Sequence, residues 1–504
     1  MTKIGIIIME STSIRLMLTE VDNLGYFKII NELTSPLKLS KDLIYNSEIP
    51  QKISNKILLI LKKYKTFCTA FNVSEIKVMA TVFFNRAKNK ELFLNLIKTE
   101  LNFNITMLSP KDEIYYNYLA IKNSIHFNNA ILIDVSGNST NIALLDKESI
   151  TTSFSLPIGS INLSYTYNLQ DNITKEDLAK AILCIDKELE TIKELKNTKV
   201  DTLILVGDII QSIGRISRIR KKYPLCLAHN YKTSDIDIEN IFNLLKSKNL
   251  LQRKRIAGLT SDMANIIVGG TTIVNEIISF LNISNITISS RNLKDGIMYE
   301  YVFKNYSLST DILDYSLNGL LNTLNIDKKH ANYIYWITQK LFNELKPLHK
   351  LRNNYDKVIK TASLLHDSGT TIGYYNHHKH SFYLILNSYI NGLSHKELLL
   401  SAAISASHRN NSYVFPYLKY ACLISKNDLN IIDKIGILLR IAENLNIDRQ
   451  TYIHDIKVKF DKNLVTIFLY SKENLSLEIE QAEKSIRKFR EVYDRNLVFK
   501  AIND

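Results

Sequence analysis

The feature that most constrains the fold is a pattern of strand, turn and strand that occurs twice. Ile4-Gly5-Ile6-Ile7-Ile8-Met9 reads as a buried strand, Glu10-Ser11-Thr12-Ser13 as a turn, and Ile14-Arg15-Leu16-Met17-Leu18 as the returning strand. Roughly 125 residues later the pattern recurs. Ala130-Ile131-Leu132-Ile133-Asp134-Val135 enters a turn of small polar residues, Ser136-Gly137-Asn138-Ser139, and Thr140-Asn141-Ile142-Ala143-Leu144 returns. One supersecondary unit used twice predicts two related α/β lobes. Each turn offers backbone amides and hydroxyls, the groups that receive phosphoryl oxygens. A single Ser-rich turn is usually only a turn, so the weight rests on the repetition and on what lies between.

Between the copies, a helix is predicted from Gln51 to Phe71 and a strand from Glu75 to Ala80, followed by Ala80-Thr81-Val82-Phe83-Phe84-Asn85-Arg86-Ala87-Lys88-Asn89 and Leu108-Ser109-Pro110-Lys111-Asp112-Glu113. After the second copy come Leu156-Pro157-Ile158-Gly159-Ser160, the strand and turn Thr202-Leu203-Ile204-Leu205-Val206-Gly207-Asp208, then Asp262 to Gly270 and Leu293-Lys294-Asp295-Gly296. In this order the segments resemble the exopolyphosphatase and guanosine pentaphosphate phosphohydrolase (Ppx/GppA) family. Ser11, Ser13, Arg15 and Leu16 match its first phosphate loop, with Ile8 where Asp and Glu10 where Gly is expected. Asp134, Gly137, Ser139 and Thr140 match its second loop, with Asn141 in place of a metal- or water-binding Glu. Gly207 remains of a third loop, and Asp208 replaces Gly. The family's phosphate-facing Arg falls on Asn85, with Arg86 one position late.

The resemblance implies two actin-like (ribonuclease H-like, ASKHA) lobes, residues 1–124 and 125–304. A terminal phosphate would lie between them, bound by Ser11, Ser13, Arg15, Arg86, Gly137, Ser139, Thr140 and Gly207. Asp134 would help to hold Mg2+ or Mn2+, and no organic cofactor is expected. The family's general base aligns with Glu113, and a carboxylate suits that role because it can orient water in line with the leaving oxygen. The competing reading is an acidic helix start, in which Asp112 and Glu113 complement the helix dipole.

From about residue 305 the chain reads as helical and rich in histidine: eight of its eleven histidines lie between His330 and His408. His330 begins a stripe with Ile334, Ile337 and Leu341. His366-Asp367 ends an apolar run. His378 shares a face with Phe382, Ile385 and Tyr389 behind a predicted Asn376 cap, and His408 closes another helix. Imidazole and carboxylate converging from several helices suit a divalent metal, though core histidines can also simply hydrogen-bond to one another or to backbone. The series resembles the HD superfamily, as it stands in the C-terminal part of the same family. That resemblance implies an all-α HD-like bundle (residues 305–454) with metal at His330, His366, Asp367, His378 and His408, and Glu443 at the terminal acidic position. Alternation in Ile456 to Phe460 and Val465 to Leu469, followed by a charged helix from Ser476 to Tyr493, predicts a small α+β end domain, residues 455–504.

Composition adds bounds. Hydrophobic residues at 45% against 23% charged ones exclude a disordered chain. The formal net charge of +14 favours a polyanionic partner, and Arg215, Arg218, Arg220, Lys221 and Lys222 with Arg253, Lys254 and Arg255 form two clusters that could line its path. Four scattered cysteines without a CxxC spacing fit a reducing cytosol, and no run approaches the ~20 apolar residues of a membrane helix. The leading expectation is a cytoplasmic, homodimeric hydrolase that releases terminal phosphate from polyphosphate or guanosine pentaphosphate, with nucleic acid not the expected partner. Two alternatives stand beside it: an HD-domain metallophosphohydrolase acting on nucleotides, and a catalytically impaired homologue that binds polyphosphate or an alarmone.

Overall fold

The computed structural model describes residues 1–37, 48–146, 149–198, 200–309, 311–352, 354–409 and 414–503. Met1–Tyr223 with Leu227–Thr310 form one compact unit, and Asp311–Asp504 with Pro224–Cys226 form another.

The first unit holds two sheets of matching design. Strands β1 (Thr2–Met9), β2 (Ser13–Val21), β3 (Phe27–Pro36), β4 (Glu75–Ala80) and β5 (Ile105–Met107) are ordered β3-β2-β1-β4-β5. The β1, β2 and β3 neighbours are antiparallel, whereas β1, β4 and β5 run parallel. The second sheet repeats this with β6 (Ala130–Val135), β7 (Thr140–Leu145), β8 (Ile150–Leu156), β9 (Thr202–Val206) and β11 (Ile286–Ile288), extended by a short antiparallel β10 (Tyr231–Thr233). The result is a mixed α/β architecture of the actin-like kind. The two opening hairpins agree in register: Ile8 pairs with Arg15 as Asp134 pairs with Asn141. Their turns agree as well, Glu10 N donating to Ser13 O (2.8 Å) and Ser136 N to Ser139 O (3.0 Å). Strand β3 carried no clear signal in the sequence.

The period of two along β6 decides where its acid points. Ile131, Ile133 and Val135 pack into the large core of the second sheet, while Ala130 and Leu132 face Ile114, Tyr118 and Ile121 of the helix Pro110–Lys122. Asp134 follows Ala130 and Leu132 in the alternation, so it looks toward that helix.

The second unit is helical and then α+β. Helices Lys328–Glu344, Asp356–Leu364, His377–Asn387, His395–Ala406 and Lys426–Asn444 bury apolar faces against one another. Strands β12 (Ile453–Phe460), β13 (Leu464–Ser471) and β14 (Asn496–Asn503) make a sheet in which β12 and β13 are antiparallel and β13 and β14 parallel. The expected single charged helix is two, Ser476–Glu483 and Ile486–Tyr493, and the third strand went unforeseen because Leu497 and Phe499 alone face the core. Among the described residues no helix is long and apolar enough to cross a membrane.

Candidate active site

The cleft of the first unit is walled by both hairpin turns and by the ends of several helices: Glu10, Ser11, Thr12, Thr81, Glu113, Asn117, Asp134, Ser136 to Ser139, Gly207, Asp208 and Asn292 among others. The two turns touch. A Cβ on Gly137 would come within 2.4 Å of Ser11 Oγ and 2.7 Å of Ile161 Cδ1, so a side chain there would have to displace both. Gly207 has φ +105°, a conformation that L side chains rarely adopt, and it turns β9 into the helix Asp208–Arg220.

Glu113 owes its position to the cap of its helix. Ser109 is the N-cap, Pro110 opens the first turn, and Asp112 completes a capping box by accepting the Ser109 amide at 2.8 Å. Asp112 thus serves the helix end. Glu113, only 4% exposed, turns inward, where it accepts the Val82 amide (2.8 Å) and Asn141 Nδ2 (3.1 Å). Burial pushes its carboxyl up to about 7. One turn on, Asn117 donates to Asp134 at 2.9 Å, and burial followed by the charges of Glu113 and Glu10 pushes Asp134 up to about 8. Asn117 Oδ1 and Asn141 Oδ1 are buried without a hydrogen-bond partner.

Glu10 and Asp208, which stand where small glycines were expected, share one cation. Arg15 pairs with Glu10 at 3.1 Å and with Asp208, tying the first sheet to the helix that follows β9. Burial raises the Glu10 carboxyl against the pull of Arg15, and Glu10 in turn raises Arg15 further. Four carboxyl groups, Glu10, Glu113, Asp134 and Asp208, therefore line the cleft.

Several expected phosphate contacts point elsewhere. Ser13 Oγ bonds Glu10 (3.3 Å) and receives Arg15 Nε (3.2 Å), and Arg15 is spent on its two carboxylates. Thr140 is buried with its hydroxyl on Ile158 O at 2.7 Å. Arg86 is exposed and stands outside the cleft walls. Ser11, Gly137, Ser139 and Gly207 do line it. The basic clusters do not. Arg253 is fully buried and donates to the carbonyls of Leu169, Gln170 and Asp171 at 3.2, 2.8 and 2.7 Å, a structural role. Arg218 lies over Tyr231, and Lys221 pairs with Asp237. Arg215, Arg220, Lys222, Lys254 and Arg255 are exposed. Arg220 closes a helix whose first residue is Asp208, roughly 18 Å along the axis at 1.5 Å per residue, so the end of this cluster lies far from the phosphate loops.

The second unit gathers another constellation. His330, His366, Asp367 and Glu443 present ligand atoms that all lie within 4.8 Å of one another, as do Asp367, His377 and His408. All six residues are buried. His366 Nε2 is 2.9 Å from Glu443 and His330 Nε2 3.3 Å from the same oxygen. Burial opposes charge on His366, yet Asp367 and Glu443 push it up to about 9, so the pocket calls for positive charge. Arg449 at 3.2 Å from Asp367 and Arg409 at 3.5 Å from Glu443 answer part of that call. His377, not the expected His378, joins the group. Asn376 takes a left-handed conformation (φ 58°) and makes no side-chain cap, the helix begins at His377, and one residue turns a side chain by about 100°. His378 is buried on a different bearing.

A two-lobed α/β unit with a carboxylate-lined cleft, joined in one chain to a helical unit with a buried imidazole and carboxylate cluster, defines a phosphohydrolase class. The chain belongs to the Ppx/GppA phosphatase family: the family model matches residues 17–305, and the model for Ppx/GppA phosphatase domain III matches residues 312–485. It is 22% identical over 422 residues to a guanosine-5'-triphosphate,3'-diphosphate pyrophosphatase from Aeromonas hydrophila, spanning 81% of this chain and 82% of that protein. Among solved structures, a Ppx/GppA member from Aquifex aeolicus is 25% identical with a TM-score of 0.54, covering 61% of this chain and 99% of that one. An exopolyphosphatase from Cytophaga hutchinsonii shares the fold at 19% identity and a TM-score of 0.57, covering 60% and 98%.

Proposed function

We propose that this protein is an exopolyphosphatase-type hydrolase that releases terminal phosphate from inorganic polyphosphate or guanosine pentaphosphate. The observation that carries the reading is Glu113, a buried carboxylate turned into the cleft beside both serine-containing turns. Its raised proton affinity suits a base that takes a proton from water near neutral pH. The amides and hydroxyls of residues 10–12 and 136–139 receive the terminal phosphoryl oxygens. A hard, oxygen-rich donor set of Asp134 with Glu10 or Asp208 fits Mg2+ or Mn2+, which would neutralise phosphate charge when bound. The family resemblance adds a cytoplasmic homodimer, to be tested by fractionation and by light scattering.

The test is phosphate release from long-chain polyphosphate and from guanosine pentaphosphate with magnesium or manganese. Release that Glu113→Gln removes supports the reading. No release from either substrate turns the losses at Ile8, Asn85 and Asn141 into the explanation, and leaves a protein that binds such polyanions without turning them over.

The His330, His366, Asp367 and Glu443 cluster favours a second reading, in which the helical unit is an HD-like metal centre acting on a nucleotide phosphoester. The donor set fits: His330 Nε2, 3.3 Å from Glu443, and Asp367 Oδ1, 3.3 Å from His377 Nε2, are buried atoms turned to one centre. Imidazole and carboxylate together suit a transition ion.

A further inference from the structure

The histidines of the helical unit are held as a simple polar core would not require. His366, His377 and His408 each place Nδ1 on a backbone carbonyl, Ser363 O at 2.7 Å, Tyr374 O at 2.7 Å and Ser405 O at 2.5 Å. A carbonyl only accepts, so in each ring Nδ1 carries a proton and Nε2 is the atom turned to the centre. His330 does the same through Asn446 Oδ1 at 2.7 Å. Four Nε2 atoms and two carboxylates thus face one another with few donors among them. The sharpest case is His377 Nε2 and His408 Nε2, 3.0 Å apart. Two lone pairs at that distance repel, so a proton or a metal cation lies between them, and a ring already protonated at Nδ1 that took the proton would become a buried cation.

We propose that this unit holds two divalent ions, with Asp367 as the ligand common to both. His330, His366, Asp367 and Glu443 take the first, and Asp367, His377 and His408 take the second. Asp367 is placed for sharing: Oδ1 is 3.3 Å from His377 Nε2, 3.9 Å from His408 Nε2 and 3.7 Å from His366 Nε2, while Oδ2 is 3.9 Å from His330 Nε2. These separations fit ligands that each stand about 2.1 Å from one ion. Nitrogen donors outnumber carboxylates, which selects manganese, iron, cobalt, nickel or zinc over magnesium. The second triad supplies three protein ligands, the number that leaves positions open for water and for an anionic oxygen. Arg409, which lies on the face of Tyr374 and 3.5 Å from Glu443, gives such an anion a nearby guanidinium. The inference rests on the metal reading of this unit and is independent of the lobe cleft.

The experiment uses the full chain carrying Asp134→Asn, so that the cleft does not contribute an ion. The protein is equilibrated with Mn2+ alone, and manganese per chain is counted by mass spectrometry together with the electron paramagnetic resonance of a coupled ion pair. Two ions and a coupled signal are expected. His377→Ala should fall to one ion with an uncoupled spectrum, while His378→Ala, the neighbouring buried imidazole, should keep both. Circular dichroism on the two variants separates ligand loss from unfolding, and if His377→Ala unfolds, His377→Gln is counted in its place. One ion in the parent, unchanged by His377→Ala, overturns the second site; no ion in the parent overturns the metal centre altogether.

Discussion

The two sites of this chain stand differently against what the sequence resemblance predicts. In the lobe cleft the resemblance predicts acids at positions 8 and 141, where Ile8 and Asn141 stand, and glycines at 10 and 208, where Glu10 and Asp208 stand and hold Arg15 between them. In the helical unit six buried ligand residues remain together, their rings fixed from behind. The comparison teaches that a site made of turns can exchange acids while its backbone path persists. A site made of side chains on packed helices has no such freedom, since each lost ligand leaves the others facing an uncompensated lone pair or charge.

The largest expected effect asks which site does the chemistry. Glu113→Gln should lower phosphate release from polyphosphate by about two to four powers of ten with KM nearly unchanged. Asp367→Ala should leave that rate within about threefold while emptying the helical unit of metal. The reverse outcome, measured by steady-state kinetics on both variants, moves the active site to the second unit and breaks the comparison.

A second test concerns neighbours that the sequence makes look alike. Arg253→Ala removes a buried guanidinium from three carbonyls and should cost about 3 kcal/mol in denaturant unfolding. Lys254→Ala, exposed, should stay within about 0.5 kcal/mol. Equal costs would remove the distinction between a structural and a solvated basic residue.

The acidity of the cleft can be read from stability. Glu113 has its folded value raised to about 7, so between its ordinary value and 7 the folded chain keeps a proton that the unfolded chain has released. Stability therefore falls as pH rises through that window, and the loss is complete above it. Glu113→Gln escapes this loss. Its advantage in thermal midpoint, measured without divalent metal, should be absent near pH 4 and reach about 3 °C by pH 8. A pH-independent difference would mean that burial does not govern this carboxyl.

The smallest expected effect belongs to the exposed basic residues. Because Arg218 is engaged by Tyr231 and neither cluster lines the cleft, Arg218→Glu with Lys254→Glu should change the salt slope of polyphosphate binding by less than about 0.5. A slope reduced by about one to two, the loss of two phosphate contacts, would restore these residues to the polyanion path.

Legibility in the sequence followed the kind of constraint. The repeated hairpins could be read because β-strand period and turn composition are local, and Glu113 because Ser109, Pro110 and Asp112 announce a helix start just before it. Asn117 was missed although it stands four residues after Glu113 and so shares its face. His377 was exchanged for His378 because the stripe of Ile385 fits either imidazole until the left-handed Asn376 sets where the helix begins. Nothing local separates Arg253 from Lys254 and Arg255. Only the distant carbonyls of residues 169–171 do, and no periodicity encodes a partner more than eighty residues away.

The bond from Arg15 to Asp208 also has a mechanical meaning. It ties a strand of one lobe to the first residue of a helix in the other, a tether across the cleft. Both ends keep some access to solvent, at 20% and 26% of their side-chain surface, so dissolved ions can slacken it. The tie between the lobes should then weaken as ionic strength rises.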